Sequence, residues 1–93
     1  MKLLEDATKG SIGESFIFTG GLATIYCWGN FSGASVKLRV SPDSTNWFDL
    51  DGFILPQPAK PKNLHMAECW MRGEVIGGDG NTLVNLVVKQ FAR

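Results

Sequence analysis

The chain has 93 residues, with nine basic and nine acidic side chains, a formal net charge of zero, and 44% hydrophobic against 19% charged residues. This length fits one domain, and the excess of apolar over charged residues predicts a folded core and excludes a disordered chain. No concentrated basic segment is present, and no apolar stretch approaches the roughly 20 residues that cross a bilayer. We therefore predict that neither nucleic acid nor a membrane is a partner.

The N-terminal segment is polar and contains two glycines, Gly10 and Gly13. Its two leucines are followed at once by two acids, so it lacks the apolar stretch of about 7 to 15 residues that a secretory signal needs. We predict that residues 1–13 form an N-terminal arm, either a docking element or a loose tail, and that residues 14–93 form a single all-β domain.

Apolar and polar residues alternate with period two along most of the chain, which predicts strands. A short strand over 15–19 is followed by one over 22–29, whose small apolar set (Ala23, Ile25, Cys27) alternates with Thr24, Tyr26 and Trp28, so that both faces are candidates for being covered. Residues 34–41 place three aliphatic side chains on one face and Lys37 and Arg39 on the other, which predicts an inner and a solvent face. The glycine-containing loop 29–33 predicts that 22–41 is one hairpin.

The second half of the chain continues the same pattern. A turn at 41–46 precedes a strand over 47–50, and Pro56, Pro58 and Pro61 then predict a long surface connection. Residues 64–75 form a strand whose core face the alternation leaves open, and a turn at 77–81 joins it to a last strand at 82–91 in a second hairpin. These elements predict an all-β fold, an antiparallel sandwich or small barrel of about six to eight short strands.

The residues give little support to catalysis. One histidine and no recognisable nucleophile motif predict that the chain is not an enzyme and has no catalytic residue. Asp43, Asp49 and Asp51 are interpreted as turn and strand residues, and the two cysteines, Cys27 and Cys69, as free thiols. We predict no metal and no cofactor.

Two segments resemble small virion proteins of tailed bacteriophages. Residues 33–50 read GASVKLRVSPDSTNWFDL, a Gly-rich turn, an alternating strand and then Ser-Pro-Asp-x-x-x-Trp, and residues 71–78 read MRGEVIGG. The resemblance implies a non-enzymatic virion structural protein, assembled in the host cytoplasm. Capsid decoration (cement) is the first choice, with a tail or head-tail component second. It also implies a homo-oligomer, often a trimer, that contacts a major capsid or other virion protein.

Two kinds of contact surface follow from these hypotheses. For assembly, the sequence offers apolar and proline residues that would be buried against sister subunits or the capsid: Leu3, Leu4, Pro56, Pro58, Pro61, Leu83, Val87 and Phe91. The alternative is a carbohydrate-binding β-sandwich module, in which Trp28, Trp47 and Trp70 are exposed together and stack on a glycan. Solvent exposure of these side chains separates the two hypotheses.

Overall fold

The computed structural model describes residues 1–56 and 59–90, which form two four-stranded antiparallel sheets packed face to face. The strands are β1 (Lys2–Ala7), β2 (Phe16–Phe18), β3 (Gly21–Asn30), β4 (Ala34–Ser41), β5 (Phe48–Leu55), β6 (Ala59–Met66), β7 (Cys69–Gly77) and β8 (Leu83–Gln90). Sheet A has the order β1-β8-β3-β6, and sheet B has the order β2-β7-β4-β5. The predicted all-β sandwich is confirmed.

The core lies between the two sheets and is made by the alternating apolar residues of their central strands. In sheet A, β3 and β8 turn Ile25, Leu86 and Val88 inward, and in sheet B, β4 turns Val36 and Leu38 inward, each at most 2% exposed. Period-two alternation identified the inner faces of β4 and β8 correctly, because one side of each strand must leave water for the fold to form. It left both faces of β3 as candidates, and the structure places Ala23, Ile25 and Cys27 on the inner one.

The two predicted hairpins are wrong, because their strands lie in different sheets. β3 belongs to sheet A and β4 to sheet B, and β7 and β8 are divided in the same way. Both connections cross the same end of the sandwich, where Thr82 Oγ1 donates a hydrogen bond to the Phe31 carbonyl oxygen (3.1 Å). Phe31 and Thr82 are both buried, so the loops close the end of the core instead of turning within one sheet. Glycine and asparagine residues suit a turn within one sheet and a connection between two sheets equally well, so they do not distinguish the two.

The predicted N-terminal arm is also corrected, since residues 2–7 are β1 and pair with β8 at the edge of sheet A. Leu3 and Leu4 are 2% and 4% exposed, so they belong to the domain's own core. The chain then passes to sheet B, where the Gly13 N–H donates to the Gly73 carbonyl (2.9 Å) and the Val75 N–H donates to that of Ser11 (2.8 Å). Both sheets thus take an edge from the first 18 residues.

The segment predicted as a surface connection contains an edge strand, β6, which pairs with β3. Pro61 is tolerated there because an edge strand has one row of backbone groups without a neighbouring strand. The Lys62 ammonium lies 4.9 Å from the centroid of the Phe53 ring and donates to the Gly52 carbonyl, so an inward-turned charge covers the gap beside β5. Such a lysine also discourages pairing with another chain.

Candidate functional site

The residues predicted to be buried against a partner are scattered in the structure. Leu3 and Leu4 lie in the core, which removes them as interface candidates. Pro56 and Pro61 are exposed at the adjoining ends of β5 and β6, whereas Pro58 and Phe91 lie outside the described residues. Leu83 and Val87 both lie on the outer face of sheet A, with Leu83 45% exposed.

The three tryptophans do not form the glycan platform that was put forward as the alternative. Trp28 is on the outer face of sheet A, where its strand neighbour across the sheet is Asn85. Trp47 and Trp70 are on the side of sheet B, and the Arg72 guanidinium lies 4.2 Å from the centroid of the Trp47 ring. Because the two sheets are separated by the core, one ligand cannot stack on all three rings.

Sheet A instead presents an apolar surface at its centre. Tyr26 and Trp28 project from β3, and Leu83 and Val87 project from the neighbouring β8, with Tyr26 directly opposite Val87. Tyr26 is 40% and Trp28 49% exposed, which is high for aromatic side chains on the two central strands of a sheet. We call these four residues the apolar face of sheet A.

Polar and charged groups surround this apolar face. On the β1 side, Lys2 Nζ lies 3.3 Å from Glu5 Oε1. On the β6 side, the Thr24 hydroxyl donates to Asn63 Oδ1 (2.8 Å), next to an open depression of about 300 Å³ that Lys89 also lines. An apolar centre with a polar rim of both charge signs is the usual composition of a protein–protein contact.

The outer face of sheet B has a different character, because its charges are paired with one another. Glu74 is 7% exposed, and its Oε2 accepts hydrogen bonds from Arg39 Nη1 (3.0 Å) and Arg72 Nε (3.2 Å). Asp49 Oδ2 accepts a hydrogen bond from Lys37 Nζ (3.2 Å). Asp49 Oδ1 lies 3.1 Å from Arg39 Nε, an ion pair whose geometry is not that of a hydrogen bond. The network satisfies the buried carboxylate, as such a charge requires.

Two exposed aliphatic side chains of sheet B lie beside this network and face polar residues of β4. Ile54 is paired with Lys37, and Ile76 with Ser35, at 48% and 43% exposure.

Sheet B also has an apolar pair on its outer face, but this pair lies at the edge strand β2. Ile17 is 51% exposed and is paired with Trp70 of β7. Sheet A, by contrast, brings its apolar side chains together on its two central strands.

Two aspartates shape the loops at the ends of the sandwich. Hydrogen bonds from the backbone N–H groups of Asn46 and Thr45 lower the pKa of Asp43 below its usual range, which identifies this residue as the organiser of the 43–46 turn. The Ser32 hydroxyl lowers the pKa of Asp79 and links the two loops that close the other end. Both carboxylates are used structurally, and within residues 1–56 and 59–90 no three His, Cys, Asp or Glu side chains gather as metal ligands.

The cysteines are free thiols, as predicted. Cys27 is buried in sheet A and Cys69 is half-buried in sheet B. Burial raises the pKa of Cys27 to about 11, so this thiol stays protonated at neutral pH. It packs as a small apolar side chain and has no nucleophilic character.

A larger open cleft of about 670 Å³ lies along the N-terminal edge, lined entirely by residues between Lys2 and Phe16. Glu5 and Glu14 are exposed charged side chains in its lining. The cleft is the space between β1 and the segment that crosses to sheet B. Across the described part of the chain no helix is long and apolar enough to span a membrane.

Comparisons with known proteins gave no match to a protein family, a curated protein or a solved structure.

Sequence reasoning missed two residues on the outer face of sheet A as interface candidates: Tyr26, which belongs to the apolar face, and Leu22, which lies beyond it on the same strand. Leu22 is 54% exposed and paired with His65 at the end of the outer face. The signal was present in β3, whose outward set contains Tyr26 and Trp28 while its inward set is also apolar. A strand that is apolar on both sides is typical of a strand that is covered on both faces.

Proposed function

We propose that this chain is a non-enzymatic virion structural protein of the tailed-phage kind, a capsid decoration protein that works through protein–protein contacts. The observation that carries the proposal is the apolar face of sheet A. Its side chains lie on the central strands, where no part of residues 1–56 and 59–90 covers them, and aromatic residues in such a position contribute most to the affinity of protein contacts. The resemblance of residues 33–50 and 71–78 to phage virion proteins supplies the setting. A tail or head-tail component fits the same observations.

The proposal is tested on phage particles purified from cells that carry the gene. Mass spectrometry should find peptides of this chain in the particles, in a fixed ratio to the major capsid protein. A high ratio supports decoration, and a low ratio supports a tail or head-tail position. Absence of the chain from purified particles contradicts the proposal.

A matched pair of variants tests whether the apolar face of sheet A holds the chain on the particle. Leu83 and Ile76 are 45% and 43% exposed but lie on the outer faces of different sheets. Leu83→Lys should lower the amount of chain on the particles, because it places a charge in the apolar face of sheet A. Ile76→Lys should leave that amount unchanged, although it adds the same charge at nearly the same exposure.

Carbohydrate binding is a second candidate, favoured by the adjacent exposed rings of Tyr26 and Trp28. Two rings on alternate residues of one strand stand about 7 Å apart and can each carry a sugar. Titration calorimetry with soluble oligosaccharides would detect such binding, which Trp28→Ala should abolish. Saturable binding by a chain that is absent from particles would favour this function over the first.

A further inference from the structure

We infer that the apolar face of sheet A docks on the same face of a second copy of this chain, in a two-fold symmetric dimer. The inference rests on the proposed role of this face in protein–protein contacts and names its partner. It concerns solution assembly, so it can fail or hold independently of the presence of the chain in virus particles.

The first argument is the shape of the face. At two neighbouring cross-strand pairs, β3 carries the bulky rings of Tyr26 and Trp28 and β8 carries the smaller Val87 and Asn85 opposite them, so a ridge lies beside a lower row over this stretch of the two central strands. A two-fold axis that runs between these strands places the ridge of each copy over the lower row of the other. Tyr26 then meets Val87 of the second copy twice, once on each side of the axis.

The second argument is area. Four strands about 4.8 Å apart and about eight residues long, at about 3.3 Å per residue, give a face of roughly 19 by 26 Å. Two such faces together hide on the order of 1,000 Å², which reaches the lower bound for a specific interface. Sheets also pack readily face to face at about 10 Å, with their strands within about 30° of parallel.

The third argument is charge. The rim carries both charge signs, with Lys2 paired to Glu5 and Lys89 further along β8, which limits repulsion between two copies of the face. On sheet B the centre of the outer face is occupied by the ion pairs around Glu74, and the apolar pair of Ile17 and Trp70 lies at the edge strand β2.

Light scattering on the purified full-length chain over a range of concentrations tests the inference. Wild type should give twice the single-chain mass of 10.2 kDa, whereas Tyr26→Lys and Val87→Glu should each give the single-chain mass. An equimolar mixture of these two variants should recover the doubled mass. In the mixed dimer, the lysine introduced at position 26 of one copy meets the glutamate introduced at position 87 of the second copy. On the opposite side of the two-fold axis, the native contact between Tyr26 and Val87 is kept.

Ile76→Lys on sheet B is the control and should remain dimeric. Circular dichroism checks that each variant is folded, and Leu83→Lys replaces Val87→Glu as the disrupting variant if the latter unfolds. A wild-type chain that stays monomeric up to about 1 mM, a mass of three chains, or a dimer that Tyr26→Lys leaves intact would overturn the inference. So would a mixture of folded Tyr26→Lys and folded Val87→Glu chains that stays monomeric. A monomer that is nevertheless found in virus particles would overturn this inference alone, and a dimer that is absent from particles would overturn the proposed function alone.

Discussion

Leu4 offers a direct test of whether β1 is part of the domain. Its side chain is 4% exposed and packs against Gly73 of β7. The packing is close, because a Cβ atom added to Gly73 would lie 2.7 Å from Leu4 Cγ and 2.9 Å from Leu86 Cδ2. At about 0.8 kcal/mol for each buried methylene, with a further cost for the cavity, Leu4→Ala should destabilise the fold by about 3 kcal/mol. This is a large share of the total of about 5 to 14 kcal/mol that a chain of this length has, at about 0.05 to 0.15 kcal/mol per residue.

A substitution at Gly73 tests the same contact between β1 and β7 from the β7 side. Gly73→Ala alone should cost about 1 to 3 kcal/mol, because its methyl group meets side chains already in place. The double variant should be more stable than the sum of the two losses predicts, by about 1 kcal/mol, since Leu4→Ala vacates part of the space that the new methyl group needs. Urea unfolding followed by tryptophan fluorescence measures all three variants. Leu22→Ala, at a position 54% exposed, is the control and should cost less than about 0.5 kcal/mol. If Leu4→Ala were as mild as this control, β1 would be an arm after all.

Three further predictions concern polar and thiol groups. The pKa of Asp43 is lower in the folded chain than in the unfolded chain. Its carboxylate therefore stabilises the fold at pH values above the unfolded-chain pKa, and this contribution is lost as the pH falls toward the folded-chain pKa. The difference in urea midpoint between wild type and Asp43→Asn should therefore shrink between about pH 6 and about pH 3, and a difference that is constant with pH would refute the role of the charge. Cys27 should react with a thiol reagent at pH 8 only when the chain unfolds, and fast labelling of the folded chain at this position would contradict its burial. Glu74→Ala should cost about 1 to 3 kcal/mol in urea unfolding, a partly screened loss since Arg39 and Arg72 retain some contact with water, and a change under about 0.5 kcal/mol would show that the network is dispensable.

Local alternation predicted the class of fold and the inward residues of β4 and β8, but it left the inner face of β3 open and did not show which strands share a sheet. The division of each strand into two faces follows from period two alone, because that period is a property of the extended backbone. Whether a Gly-rich loop turns back within a sheet or crosses to the other depends on Phe31 and Thr82 entering the core at the end of the sandwich. That is a tertiary contact, and no local pattern encodes it.

The core face of residues 64–75 could not be read from the sequence for a related reason. Leu64 faces inward in β6 and Met71 faces inward in β7, so one strand uses even positions and the other odd positions. The chain bends between them, at Ala67 and Glu68, where neither a proline nor a glycine marks the break. A search for one continuous alternation across such a bend must fail, because the register changes there.

The contrast between the two outer faces is the main reason to look for a partner on sheet A. On sheet B, the alternating residues of β4 bring Lys37 and Arg39 to the surface, and Glu74 and Asp49 neutralise them within the domain. The charges at the centre of that face are therefore neutralised without a second molecule, and the apolar pair of Ile17 and Trp70 lies at the edge strand β2. On sheet A, no loop or strand of the described chain covers Tyr26 or Trp28, whereas their polar neighbours Thr24 and Asn85 are hydrogen-bonded within the domain. Exposed rings on the central strands favour any association that removes them from water. The ridge and row on these strands are the reason we propose a second copy of the same face as that partner.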